Sequence, residues 1–273
     1  MNVSTRSELV PPNLAALVPL LIKEPGLFEA MSEIGRAAKY EITAAPSVYP
    51  YIAAAVASRT PLLLATATGR EATDLAIALR AFMTPSEVVL FPAWETLPHE
   101  RLSPRSDTVG ERLSVLRRLT HPQEGRISVV VAPIRAILQP FVRGLGDLPQ
   151  VRVSAGDELP LDTLVRELTA AAYVRSELVE RRGEFAVRGG IVDVFPPTEE
   201  HPLRLEFWGD RIEEIRYFKV ADQRSLEVAQ DGLIAPPCRE LLLTDQVKAR
   251  AKALLNTYPF LVDVHEGNIP TSR

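Results

Sequence analysis

Residues 181–218 read RRGEFAVRGGIVDVFPPTEEHPLRLEFWGDRIEEIRYF, and their punctuation predicts consecutive short strands. Gly183 opens the first, Gly189-Gly190 separates it from the second, Pro196-Pro197 ends the second, and Gly209-Asp210 divides the third from the fourth. Along 202–208 the side chains alternate: Leu203, Leu205 and Phe207 toward a core, Arg204, Glu206 and Trp208 outward. By the same rule Phe185 and Val187 point one way, Ala186 and Arg188 the other. A half-buried antiparallel sheet normally shows water a bland polar face. This one is expected to show two arginines and a tryptophan, residue types enriched where proteins bind partners. The alternative is that Trp208 ends a strand and covers a neighbouring loop.

The composition sets outer limits. The chain has 273 residues, 46% hydrophobic and 24% charged, as expected for one large or two medium globular domains. No apolar run reaches the roughly 18 residues of a membrane span, and the first residues lack signal-peptide order, so a cytoplasmic location without membrane contact is the simplest expectation. Cys238 is the only cysteine, and no Cys/His spacing suggests a metal. The net charge of −4 argues against a domain that grips nucleic acid mainly through its phosphates. Only 5 of the 31 basic residues are lysine, so abundance of arginine carries no message and only its placement can.

Before the strand-rich stretch, helical and apolar runs alternate. Residues 14–22 form an apolar helical patch and 47–58 predict a helix. Leu62 to Ala65 predict a buried parallel strand, with a helix over 70–82 and a strand over 87–91 after it. A proline-rich connection, 92–107, precedes a helix over 108–119 with Val109, Leu113 and Leu116 on one face. A buried strand over 127–132 and a helix over 134–142 follow. This order predicts a parallel sheet with helices on its faces. The pattern changes near Gln150. A helix over 161–172 leads into the antiparallel stretch, and another over 244–255 follows Pro236-Pro237.

A doubly wound sheet would carry a nucleotide site at PLLLATATGREATDL, 61–75. A phosphate loop needs GxxxxGK[ST], so that amides wrap phosphate, lysine meets its charge and a hydroxyl holds magnesium. Here Leu64 stands for the first glycine, Gly69 fits, Arg70 replaces lysine, and Glu71 puts a carboxylate where the hydroxyl belongs. A plain strand-to-helix turn is the better reading, and no cofactor is expected. Other candidates are weak: His99-Glu100 near Trp94, Asp193 between two valines, His265-Glu266, and Cys238 without a base. No catalytic constellation emerges.

Three segments carry a resemblance: FPAWETLPHERLSPRSDTVGERLSVLRRL (91–119), RRGEFAVRGGIVDVFP (181–196) and LRLEFWGDRIEEIRYFKVADQRSL (203–226). They resemble the N-terminal region of the bacterial transcription-repair coupling factors (Mfd) and, more distantly, the first domains of the excision-repair helicase UvrB. The resemblance covers about 14–255 and implies an α/β fold in three pieces. These are a truncated RecA-like parallel-sheet domain (1–149), an inserted antiparallel α+β domain (150–235), and a return segment packing on the first (236–273).

The phosphate loop that works in UvrB is degenerate at Leu64, Arg70 and Glu71, and UvrB's aromatic DNA-probing hairpin is replaced by the short 92–107 connection with Trp94 as its only aromatic. The implied role is therefore non-catalytic recruitment of the damage-recognition ATPase UvrA by the inserted domain. In the family the contacts come from the arginine of GE[FY]xxRG, here Arg188, and from the arginine and last aromatic of R[LV][DE]F[FW], here Arg204 and Trp208. Arg175 matches a further UvrB arginine, while Ala186 stands where UvrB-like chains have another. Replacing Arg188 or Arg204 by alanine is expected to weaken binding by on the order of 2 kcal/mol and to change folding by less than about 0.5 kcal/mol.

The resemblance also implies that RNA-polymerase binding and ATP-driven translocation on double-stranded DNA belong to the parent protein, whose distal domains can dock on and mask the UvrA surface. The alternative is a nucleotide-dependent DNA-binding domain like that of UvrB.

Overall fold

The computed structural model describes residues 14–34, 36, 39–96 and 103–258. It divides into two compact units, Met1–Leu148 and Pro149–Arg273.

The first unit starts with two short helices, α1 (Val18–Leu21) and α2 (Pro25–Glu33), and continues with α3 (Tyr49–Ala57), β1 (Leu62–Thr66), α4 (Gly69–Arg80), β2 (Val88–Leu90), α5 (Ser106–Thr120), β3 (Val129–Pro133) and α6 (Ile134–Leu138). The strands form a parallel sheet in the order β1-β3-β2. On one face α2, α3 and α4 bury Met31, Ala55, Ala72, Ala76 and Leu79 against Val88, Val129 and Val131. On the other, Val115 of α5 and Ala136 of α6 pack with Val89, Phe91 and Ala132. Asp107 in the first turn of α5 and Arg117 and Arg118 in its last match the helix dipole.

Two sequence expectations are corrected here. Strand β1 is a sheet edge, hydrogen-bonded to β3 alone among the described residues. Only Leu62 and Leu64 turn toward the core, and Leu63 is 57% exposed. The helix expected over 134–142 stops at Leu138, because Gln139 precedes Pro140 and takes extended geometry (ψ 129°).

The second unit contains β4 (Val151–Val153), α7 (Leu161–Ala170), β5 (Val174–Arg175), β6 (Glu184–Arg188), β7 (Ile191–Val194), β8 (Leu203–Trp208), β9 (Arg211–Phe218), β10 (Ser225–Val228), β11 (Leu233–Ala235) and α8 (Asp245–Thr257). A six-stranded sheet has the order β10-β9-β8-β7-β6-β5 and is antiparallel except for β5, which runs parallel to β6. β11 pairs antiparallel with β4 as a separate ribbon.

The hairpins β6–β7 and β8–β9 turn on Gly189 (φ 60°) and Gly209 (φ 62°), left-handed positions that only glycine adopts without strain. Leu161, Leu164, Val165 and Leu168 form the apolar stripe of α7. It packs with Phe185, Val192, Val194, Leu203, Leu205, Ile212 and Ile215 on the inner face of the sheet. The period-2 reading of β8 therefore holds.

Position should decide the cost of equally apolar residues. Leu205→Ala, at a fully buried site, is expected to lower unfolding free energy by about 2–5 kcal/mol in urea titration. Leu63→Ala, on the open side of β1, is expected to stay within about 0.5 kcal/mol.

Candidate partner-binding site

The outer face of the six-stranded sheet is built in rows fixed by the register. Asp193 lies opposite Ala186 on one side and Arg204 on the other, and Arg204 lies opposite Arg216. The next row holds Arg188, Ile191, Glu206 and Glu214. Trp208 stands two residues beyond Glu206, about 7 Å further along β8, opposite Arg211.

The face is not wet along its whole length. Val179, Ala186, Phe195 and Phe218 form a second, small apolar cluster, with Val220 packed against it. The open end is where Arg188, Glu206 and Trp208 lie.

Asp193, set aside in the sequence as inactive, organises this surface. Its side chain is 1% exposed and accepts three hydrogen bonds from two arginines. Arg204 donates from Nε to Oδ1 at 2.7 Å and from Nη2 to Oδ2 at 2.9 Å, while Arg188 donates from Nη2 to Oδ2 at 2.6 Å. A carboxylate in this position needs such compensation, because a desolvated charge without partners costs several kcal/mol.

Arg204 is also held elsewhere. Its guanidinium lies 4.6 Å from the Phe218 ring centroid and Nη1 donates to the Gln223 carbonyl at 3.4 Å. Hydrogen bonding to Asp193 raises its pKa further, against the lowering effect of burial. Its side chain is 14% exposed, whereas that of Arg188 is 47% exposed. Arg216, the like charge opposite Arg204, is drawn aside by Glu214 at 2.6 Å and the Leu226 carbonyl at 3.2 Å.

Trp208 is 80% exposed, more than any other large apolar side chain among the described residues. It ends β8, as the bland alternative held, but its exposure leaves most of the ring open to solvent. It stands at the end of the face, outside the pair of arginines. Arg175 is placed differently. It sits on the edge strand β5 in register with Phe185, whose row points into the core. The structure thus unites Arg188 and Arg204 through Asp193, leaves Trp208 beside Arg188's row, and puts Arg175 in the alternate row.

At the degenerate phosphate position, Leu64 turns into the core. Thr68 caps α4, its Oγ1 accepting from Glu71 N at 3.2 Å, and Glu71 Oε2 accepts from Ala67 N at 3.1 Å. Thr68 caps the helix as in a capping box, while Glu71 reaches one residue further back than that motif does, so the chain's own carboxylate takes an amide of the loop that a phosphate site would present to an anion. Arg70 faces solvent beside Asp74 at 3.9 Å.

Cys238 is buried next to Tyr173, and burial pushes its thiol up to about 12, which removes it as a nucleophile at neutral pH. Trp94 and Phe91 flank the fully buried Arg112. His99, Glu100, His265 and Glu266 lie outside the described residues. Among those described, no three His, Cys, Asp or Glu side chains form a metal-sized group, and no helix is long and apolar enough to cross a membrane.

Residues 151–238 match the UvrB interaction domain family. A transcription-repair-coupling factor of Mycobacterium tuberculosis (strain CDC 1551 / Oshkosh) is 49% identical over 252 residues, 90% of this chain and 20% of that protein. The chain belongs to the transcription-repair-coupling factor family, in its UvrB-homology region.

Similar coupling factors occur in Myxococcus xanthus, 36% identical over 72% of this chain and 17% of that protein, and in Bacillus subtilis (strain 168), 33% identical over 70% and 16%. The chain spans about a fifth of the length of the coupling factors it matches. The matched 151–238 segment contains Asp193, all four expected binding residues and the whole six-stranded sheet.

The buried carboxylate corrects one energetic expectation. Arg204→Ala removes two of Asp193's three hydrogen bonds, so thermal or urea unfolding is expected to show a loss on the order of 2–3 kcal/mol. Arg188→Ala leaves the bidentate pair in place and is expected to cost less than about 1 kcal/mol.

Proposed function

We propose that this chain is a recruitment module that binds UvrA through the open end of the outer sheet face. The observation that carries the reading is Trp208, 80% exposed on a paired strand, at the same end of the face as the half-exposed Arg188 two strands away. A large apolar ring held out by rigid backbone has little entropy to lose on docking, and tryptophan and arginine dominate the energetics of protein interfaces. Arg188 uses one nitrogen on Asp193 and keeps further N–H groups for a carboxylate on the partner. The family match to the UvrB interaction domain over 151–238 supports the same assignment.

The module needs no chemistry of its own in this account. The Glu71 carboxylate occupies the Ala67 amide of the loop before the helix, where phosphate would sit, which favours recruitment over a nucleotide-dependent, UvrB-like enzyme domain. We place polymerase engagement and ATP-driven translocation on double-stranded DNA in the parent protein, outside these 273 residues. There, docking of distal parent domains on the Trp208 face would mask it from UvrA.

In a titration of the 273-residue chain with UvrA, wild type is expected to bind. Arg188→Ala and Trp208→Ala, each checked for an unchanged thermal transition, are expected to lose on the order of 2 kcal/mol, about thirtyfold in Kd. Equal binding by all three would remove this face from the account. Millimolar ATP is expected to leave the thermal transition in place. A nucleotide at 100 times its Kd would add about 2.7 kcal/mol, and a shift of that size would restore the enzyme reading.

A further inference from the structure

We infer that Asp193 is a positioning residue of the binding face: it locks Arg204 into the sheet and aims Arg188 outward, so that Arg188 and Trp208 meet the partner while Arg204 acts through Asp193. This rests on the recruitment reading above and divides the labour within it.

The division follows from how the donors are used. Arg204 spends Nε and Nη2 on Asp193 and Nη1 on the Gln223 carbonyl, with its plane against Phe218. Turning this guanidinium toward a partner would strip the bidentate pair from a carboxylate that is 1% exposed. Arg188 gives Asp193 a single nitrogen. The tether limits the rotamers of an otherwise flexible side chain without consuming its fork, which lowers the entropy lost on binding.

Register makes the tether possible. Arg188 is the diagonal neighbour of Asp193, within reach of a long side chain, and the residue directly opposite is the small, buried Ala186. An arginine at 186 would face Asp193 directly and compete for it.

The test is a double-mutant cycle on the 273-residue chain, reading association and dissociation rates with UvrA and thermal unfolding for wild type, Asp193→Asn, Arg204→Met and the double variant. Removing Asp193's charge makes the face more cationic, so kon should hold or rise, while loss of aim should speed koff about tenfold. Because Arg204 acts through Asp193, the double variant should dissociate no faster than the worse single variant.

Losses that multiply would mean that Arg204 touches the partner itself, and unchanged or slower koff in Asp193→Asn would mean that the carboxylate merely opposes binding; either overturns the inference. Should a single variant fail to fold, the double variant, which holds neither charge, still decides: wild-type koff there overturns it. NMR of arginine Nε–H groups in wild type adds an independent reading. The Arg188 signal should shift on adding UvrA and the Arg204 signal should not; the reverse overturns the inference. If wild type itself does not bind, the recruitment reading has failed, which is distinct from binding with an additive cycle.

Discussion

A carboxylate in the interior of a β-sheet must be answered by cations from its own sheet, and in this chain Asp193 is answered by Arg204 and Arg188. That requirement fixes more than one ion pair. It makes strand β8 lie where Arg204 is opposite Asp193, because a slip of one residue would send Arg204 to the apolar face and Leu205 to the polar one. The two-residue turn at Gly189-Gly190 sets Arg188 opposite Ile191 and on the diagonal to Asp193. The same register carries Trp208 to the open end of the face. Polar pairing here selects one arrangement of a sheet whose stability comes from the inner cluster around Phe185, Leu203, Leu205 and Ile215.

The first unit shows the same principle with the opposite consequence. At the turn from β1 to α4, Glu71 reaches back to Ala67 and Thr68 caps the helix. One first-turn amide, that of Glu71, and the loop amide of Ala67 are engaged by side chains close in sequence, and Leu64 packs into the core where a phosphate loop would need bare backbone. In one unit a carboxylate arranges a cationic surface, and in the other it satisfies a helix start.

Much of this was legible in the residues because it is local. Alternation in β6, β7 and β8, and glycines at 189–190 and 209, mark strands and hairpins without long-range information. The role of Asp193 was not legible. The loop from Phe195 to Pro202 is too long to set register by turn geometry, so nothing in the sequence says that Arg204 falls opposite Asp193; a charge flanked by two valines in a strand was the available hint. Strands β4, β5, β10 and β11 are two to four residues long and exist through pairing, not periodicity. The apolar run at 62–65 reads as a buried strand, yet apolarity cannot report which face finds cover, and Leu63 finds only partial cover. The resemblance supplied Arg188, Arg204 and Trp208 as one set, and only the distances separate an arginine tethered by one nitrogen from one held at all three.

The most direct test of the central claim is hydrogen–deuterium exchange of the 273-residue chain with and without UvrA. The account predicts slowed exchange in the backbone that carries the open end of the outer face, residues 187–191 and 206–211, with the parallel-sheet unit unchanged. Protection confined to residues 14–148, with none around Arg188 and Trp208, would contradict it.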